Sequence, residues 1–595
     1  MKIINNYKFI VRTMWEYDKY YFIINLIVSL LNSAFSILNL YFPKYIIDII
    51  TEKRDYNKLI WAVALWACID IAFILVFSMS KKFLSIRKDF LNNHFIMLIY
   101  KKMVDMDLNL LESPHTYNLK EKAIDICNKK IGISFCNRFF SIISELLTIL
   151  STLALLLSIK FPIFIVLILI IVFNTVLVVF GNKSSFSFWD KVTDLNNESN
   201  YYFQLLCDPQ TAKEMRLYSL STWIFKKYNK VKIKFFSAAK TLYNKVYSIE
   251  NSKKFLSVLQ KIFLYLYLGY EFIFAKLTFG NYTLYFNSLN TFSNSLKNII
   301  NHIIQTIEDS VYLSSYIEFI ELKNQIAIDK ANTKQIKLNS VEHFDIELRD
   351  VNFQYKGSPQ MVLKGINLKI NSGKFYVIVG ENGAGKTTLV NLICRLYDPC
   401  SGEIFLNDNN IIDYNFKEYR DCFGVVFQDY QYYAFSIAEN IALEDYDNGH
   451  IDNSKVEKAI ELSGLKEKID SLPNGKNTNL RKIFDAQGIE LSGGEAQKLA
   501  IAKALYKNAE IFIFDEPSSA LDPNAEDELI NLFRSISQMG KTVILISHRL
   551  SVCKYADEVI YMENGNVELI GTHKNLLNNQ KYYNYYNKQA QHYTE

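Results

Sequence analysis

The chain has 595 residues, half of them hydrophobic and 21% charged, with a formal net charge of +5. That length exceeds what one hydrophobic core organises, so at least two domains are expected. A mean hydropathy of +0.03 is high for a soluble enzyme, and without a base-reading motif the small positive charge gives a nucleic-acid partner no support.

Taken in chain order, six apolar stretches fill the first half, at about 21–45, 59–79, 139–159, 161–180, 255–277 and 284–307. Each reaches the roughly 20 helical residues that cross about 30 Å of hydrocarbon. About 20 residues precede the first stretch and carry no signal-peptide cleavage pattern. The connections alternate in length: 50–58, the surroundings of Lys160 and 278–283 are short, whereas 81–137 and 182–253 are long. The long ones hold 10 and 12 Lys+Arg, against three in 50–58. Positive charge stays on the cytoplasmic side, so both long connections, both termini and the C-terminal domain are expected there.

The long connections read as extensions of the helices beside them. In the first, Glu112-Ser113-Pro114 sets Ser113 as N-cap and Pro114 as first helical residue. In the second, Asp208-Pro209 precedes Thr211-Ala212-Lys213-Glu214, a capping-box spacing. Each predicts a short helix restarting inside the connection, at about 112–121 and 208–217.

Along the sixth stretch Asn287, Asn290, Asn294, Asn298 and Asn301 recur on one helical face. Such a face either bonds neighbouring helices or lines a wet cavity, and five amides favour the cavity. Counted from the outer ends, Asp70, Glu145 and Lys297 lie at depths that agree within roughly 3 Å at the helical rise. Either Lys297 pairs with one acid, or a surplus acid faces the cavity and attracts a cationic substrate.

The polar, Lys-, Asn- and Gln-rich stretch after 321 reads as a linker, 322–343, between a membrane domain, 1–321, and a second domain, 344–595. The eight cysteines (Cys68, Cys127, Cys136, Cys207, Cys394, Cys400, Cys422 and Cys553) form no Cys-x-x-Cys and read as reduced structural thiols. Abundant Asn, Ile, Lys and Tyr associate with an AT-rich bacterial genome.

The second domain carries the chemistry. After the apolar run 375–379 comes Gly-Glu-Asn-Gly-Ala-Gly-Lys-Thr-Thr at 380–388, then a helical pattern. Strand, Gly-rich loop and helix are the context a phosphate-cradling loop requires. Gly380, Asn382, Gly383 and Gly385 shape the loop and present backbone N–H groups, and the helix N-terminus adds partial positive charge. Lys386 neutralises phosphate oxygens, Thr387 offers a hydroxyl to Mg²⁺, and Thr388 completes the motif. A second apolar strand, 511–514, ends in Asp515, suited to Mg²⁺, and Glu516, suited to a general base. A third, 542–546, runs into Ser547-His548, placing an imidazole at the same edge.

This series resembles the nucleotide-binding domain of ABC transporters. By that resemblance Tyr355 stacks on adenine, and Gln428 in Val-Val-Phe-Gln-Asp senses Mg²⁺ and the attacking water. Leu491-Ser492-Gly493-Gly494-Glu495 looks like the signature motif, in which Ser492, Gly493 and Gly494 close over the γ-phosphate held by the other protomer. Ser519-Ala520-Leu521-Asp522 resembles the loop that links the two sites. Glu495 departs from the commoner Gln.

With six spans ahead of this domain, the whole chain resembles an exporter-type half-transporter: an all-α six-helix membrane domain fused to an α/β P-loop ATPase. The resemblance implies ATP and Mg²⁺ as cofactors, a second half-transporter as partner, and coupling helices at 112–121 and 208–217. A homodimer needs no further partner; a heterodimer is the alternative. No N-terminal accessory domain of the cysteine-protease kind is expected. The segments 111–117 and 211–218 look like those of bacterial exporters for lantibiotics and other modified peptides. A peptide carried out across the plasma membrane is therefore the expected cargo, with lipid or drug export, or an ATP-gated channel or regulator, as alternatives.

Overall fold

A computed structural model describes residues 2–53, 56–156, 173, 176, 195–209, 211–274, 277–324, 343–444, 451–517 and 523–591. The chain divides into two compact units: Met1–Asp105 with Pro114–Leu322, and Met106–Ser113 with Lys323–Glu595.

The first unit is helical: α1 (Lys2–Tyr17), α2 (Lys19–Asp48), α3 (Tyr56–Asp105), α5 (Pro114–Asn128), α6 (Ile131–Leu156), α7 (Ala212–Leu217), α8 (Ser221–Phe274) and α9 (Phe279–Glu321), with α4 (Leu108–Leu111) assigned to the second unit. Four described helices are long and apolar enough to cross a membrane: Lys19–Thr51, Tyr56–Asp105, Ile131–Leu156 and Ser221–Phe274. The expected fourth span, 161–180, lies almost wholly outside the described residues, as does most of the linker. The sixth sits within α9, a 43-residue helix whose amides keep it below the apolarity of those four.

The expected extensions are real. At 50 and 54 residues, α3 and α8 run unbroken well beyond bilayer thickness. Helix α9 packs along α6 and α2. Leu156, Leu264, Leu268, Leu289 and Phe292 close a small core among α6, α8 and α9.

Two expectations need correction. Helix α5 starts at Pro114, as the cap signal predicts, but the short helix that joins the second unit is α4, just upstream of 112–121. Leu108 packs against that unit's core, and the Tyr397 hydroxyl donates to Glu112 Oε1 at 3.0 Å. At α7, Thr211 does not form the capping box: it makes no side-chain cap bond. Its hydroxyl instead donates backwards to the carbonyls of Leu205 and Asp208, at 2.8 and 3.0 Å. Hydroxyls satisfy nearby carbonyls as readily as they accept from N–H groups, so sequence spacing alone does not choose between them.

The second unit is built on two sheets. An antiparallel one takes β1 (Ile346–Phe353), β2 (Leu363–Ile370), β4 (Ser401–Leu406) and β5 (Asn409–Asn410) in the order β2-β1-β4-β5. The other takes β3 (Phe375–Gly380), β6 (Phe423–Val426), β7 (Ile511–Asp515), β8 (Thr542–Ile546), β9 (Glu558–Glu563) and β10 (Asn566–Gly571) in the order β10-β9-β3-β8-β7-β6. From β9 to β6 all neighbours are parallel. Every residue of β3, β7 and β8 is buried, as uninterrupted apolar runs in a covered parallel sheet should be.

Register then positions the site. Ile378 of β3 and Asp515 of β7 both pair with Ile546 of β8. The Gly-rich loop, Asp515-Glu516 and His548 therefore leave the sheet side by side at its carboxyl edge, where α/β folds bind ligands.

Candidate nucleotide site

Helix α10 (Lys386–Ile393) follows β3 through the Gly-rich loop, with left-handed Gly385 as its N-cap at φ 96°. Glycine is required there twice over, since an added Cβ would stand 2.6 Å from Leu363 Cδ2. At Gly380 a Cβ would lie 2.2 Å from the Met562 carbonyl oxygen of neighbouring β9. Asn382, Gly383 and Thr387 are exposed, whereas Lys386 and Thr388 are buried. The Lys386 ammonium curls back onto the Gly380 and Glu381 carbonyls at 2.9 and 3.0 Å. Burial lowers its pKa, opposed by the nearby Glu516 and Asp515 carboxylates. Tyr355 reaches this loop, with its hydroxyl 3.0 Å from Thr388 Oγ1.

The carboxylates stand opposite. Thr387 Oγ1 donates to Asp515 Oδ2 at 2.8 Å. Asp515 is 1% exposed and its Oδ1 is buried without a hydrogen-bond partner. Burial raises its pKa despite the bond from Thr387. A buried carboxylate oxygen without a donor, beside a hydroxyl, fits a hard divalent cation, which takes oxygen ligands and supplies the missing positive charge.

Glu516 carries both remaining predicted partners. Gln428 Nε2 donates to its Oε2 at 3.0 Å, and His548 Nε2 lies 2.5 Å from its Oε1. Sequence reasoning missed its backbone: Glu516 is left-handed at φ 51°, a cost for a non-glycine residue that aims the carboxylate back across the sheet edge. Gly380, Lys386, Thr387, Thr388, Tyr355, Gln428, Asp515, Glu516 and His548 are thus one contiguous set. Asp522 lies outside the described residues.

Ser492, Gly493 and Gly494 open α11 (Gly493–Tyr506), and Ser492 and Gly493 are exposed. Glu495 has a local task. Ser492 and Glu495 form a reciprocal capping box, with Ser492 N–H donating to Glu495 Oε2 at 2.8 Å. Lys468 holds the other carboxylate oxygen at 3.0 Å. Burial pushes the Glu495 pKa up, but the Ser492 bonds and Lys468 outweigh it and leave it lowered. The departure from Gln therefore comes with its own counter-charge.

These features coincide with those of known proteins. Residues 363–519 match the model of the ABC transporter family. The second unit carries an ABC transporter domain. This is the ATP-binding domain, an ATPase coupled to transport. The transporter is 29% identical to the subtilin transport ATP-binding protein SpaT of Bacillus subtilis over 490 residues, 80% of this chain and 76% of that one. It is 28% identical to the nisin transport ATP-binding protein NisT of Lactococcus lactis over 83% of this chain and 81% of that one. Identity with an ATP-dependent lipid A-core flippase of Cupriavidus pinatubonensis is 37%, confined to 39% of each chain. A solved bacterial Atm1-family ABC exporter with ATP bound shares the fold over 96% of the transporter and 99% of its own chain, at a TM-score of 0.81 and 20% identity.

In the membrane unit the five amides lie along α9, and of the two sequence readings for Lys297 the pairing with an acid does not form among the described residues. Asn294, Asn298 and Asn301 are exposed on α9, and Asn287 and Asn290 half-buried. Glu145 of α6 accepts from Asn298 Nδ2 at 2.8 Å, a bond that joins α6 to α9. Lys297 turns the other way, donating to Gln260 Oε1 of α8 at 3.3 Å. Among the described residues no ion pair joins Lys297 to Glu145 or to Asp70, which is half-buried on α3. Helical rotation is the reason: adjacent residues 297 and 298 point about 100° apart. An ion pair between α6 and α9 joins Arg138 to Asp309, at 2.5 Å.

Proposed function

We propose that two copies of this chain assemble in a bacterial plasma membrane, bind two Mg-ATP between their cytoplasmic ATPase domains, and export a cationic modified peptide. An incomplete set carries the dimer reading. Six groups (Lys386, Thr387, Gln428, Asp515, Glu516 and His548) converge on one loop. Among the described residues no hydrogen bond brings Ser492, Gly493 or Gly494 to that loop. An exposed signature turn that does not serve its own loop is what a second copy would complete.

Asp515 and Thr387 would hold Mg²⁺, which neutralises phosphate charge as it develops. Lys386 stands ready to leave its two carbonyls for phosphate oxygens. Glu516 takes the proton of the attacking water at a carboxylate oxygen, with Gln428 and His548 fixing its orientation. Tyr355 would stack on the adenine. Closure on ATP would reorient the membrane helices and hydrolysis would reset them.

The cargo reading rests on Glu145, which bonds an amide of the stripe and leaves its charge without an ion pair among the described residues, and on the exposed asparagines. Exposed amides facing lipid would be costly, so a wet path or the partner's helices must cover them. The names of the two relatives aligned over most of the chain, subtilin and nisin transport proteins, favour a peptide.

The test is mixing. Lys386→Ala should abolish a protomer's own phosphate loop, and Ser492→Arg its service to the partner. Each alone should be inactive, while dimers purified through one tag on each variant should recover roughly half the wild-type ATPase activity, because one of two composite sites is intact. Mixed dimers no more active than either parent would sink the composite site. Stimulation by cationic but not neutral peptides, lost in Glu145→Gln, checks the cargo class.

A further inference from the structure

The segment after Gln428 reads Asp429-Tyr430-Gln431-Tyr432-Tyr433, and its aromatic density has no role in the chemistry above. The bonds of Tyr430, Gln431 and Tyr432 run toward the signature helix or the segment of chain leading into it. The Tyr430 hydroxyl donates to the Gly493 carbonyl at 3.0 Å. The Tyr432 hydroxyl donates to Glu490 Oε2 at 3.0 Å, two residues before Ser492, and the Arg481 guanidinium lies over the Tyr432 ring at 4.6 Å. Lys503 of α11 donates to the Gln431 carbonyl at 2.6 Å, with its ammonium 5.1 Å from the Tyr433 ring centre. Asn440 closes the far end, exchanging bonds of 2.8 and 3.0 Å with the Tyr433 backbone.

The two ends of this segment touch different chemistry. Gln428 bonds Glu516, the base of its own site. Two residues on, Tyr430 bonds Gly493, whose signature turn serves the partner's site if the assembly proposed above holds. Tyr430 is half-buried against the core that includes Val426, Ala500 and Ile501, so its ring is anchored while its hydroxyl works at the surface. An anchored phenol is a short rigid strut with few rotamers to lose.

We propose that Tyr430 is a positioning residue for the signature motif, holding Gly493 where it meets the γ-phosphate bound by the other protomer. The hydroxyl touches no reacting atom of its own site. It supports one component of the composite site in the ground state and transition state alike, so it governs how readily ATP closes the dimer, not the chemical step. Uniform binding of that kind appears in KM and leaves kcat in place.

Tyr430→Phe keeps the ring and removes the bond. In the full-length transporter the KM for ATP should rise about 3–10-fold, the worth of one hydrogen bond, with kcat within about twofold. The affinity for ADP, which lacks a γ-phosphate for the signature to meet, should not change. The decisive arrangement is the single-site mixed dimer of Lys386→Ala and Ser492→Arg protomers. Tyr430→Phe placed in the Lys386→Ala protomer, which donates the working signature, should raise KM. Placed in the Ser492→Arg protomer, which donates the working phosphate loop, it should not. An equal or larger effect from the loop-donating protomer would mean Tyr430 acts through Gln428, and would overturn the proposal. So would an unchanged KM in both arrangements, or a fall in kcat alone. Melting temperature of each variant, expected within a degree or two of its parent, excludes a general loss of folding. Failure of the parent mixture to hydrolyse ATP at all would count against the composite site, independently of Tyr430.

Discussion

At the carboxyl edge of the parallel sheet, Lys386, Thr387, Gln428, Glu516 and His548 each bond another group of that same edge. Along α9, Asn294, Asn298 and Asn301 stand exposed, and of these Asn298 reaches a neighbour, Glu145. Both regions are polar patterns legible in the sequence, yet they differ in what holds them. The first hangs on three adjacent buried strands, whose observed pairing sets Ile378 and Asp515 on either side of Ile546. The second hangs on one helix, whose period says which residues share a face but not what that face meets.

The comparison breaks first at Glu516. If the sheet edge is the catalytic centre, Glu516→Gln should bind Mg-ATP with near wild-type affinity and hydrolyse it at least about 100-fold more slowly. Single-turnover and equilibrium binding measurements separate the two. Turnover within a few-fold of wild type would remove Glu516 from the role of base.

Asp515→Asn sharpens the same point through stability. Burial raises the Asp515 pKa, so between the ordinary value and the raised one the folded domain holds a proton that the unfolded chain has lost. Stability of the nucleotide-free domain therefore falls as pH climbs through that window, and the cost persists at neutral pH. The amide carries no charge to bury. Asp515→Asn should melt higher than wild type at pH 7, with the gap closing as pH drops toward about 4, the ordinary aspartate range. It should also lose Mg²⁺-dependent hydrolysis. A lower melting temperature at neutral pH would indicate that Asp515 is structural.

In the membrane unit the expected effects are smaller. Asn294→Leu with Asn298→Leu should change peptide-stimulated ATPase by about fivefold, the low end of coupling between sites, and basal ATPase much less. Equal changes in both, or none in either from a folded variant, would return the stripe to helix packing. Smallest of all is Glu495→Gln. The ion pair with Lys468 is partly exposed and Gln can keep the capping geometry, so ATPase activity should shift by less than about fivefold. A larger loss would make the carboxylate itself part of the signature.

The motif spacing 380–388, the acids after an apolar run and the histidine after another were enough to name the site, because each follows a strand whose burial is written in consecutive apolar residues. Less was legible wherever partners come from elsewhere in the chain. Ser113-Pro114 did start a helix, since a cap and a fixed proline φ act locally. Thr211 did not build its box, because carbonyls behind it competed for the hydroxyl. The left-handed Glu516 gave no sequence signal, since no glycine or asparagine marks that corner.

By its sequence alone this protein is determined to be a membrane helix bundle joined to an ABC-type ATPase, and the positions of its Gly-rich loop and of the two acids and the histidine that follow apolar strands are read directly from it. Periodicity and strand burial are properties of neighbours in the chain, so they survive without a fold. Tertiary structure decided which groups touch: that Lys297 turns to Gln260 while Asn298 takes Glu145, that Leu108, ahead of the expected helix, joins the ATPase unit together with Glu112 at that helix's start, and that Tyr430 reaches the signature turn. Those choices depend on helix rotation and on packing between segments dozens to hundreds of residues apart, which no local pattern encodes.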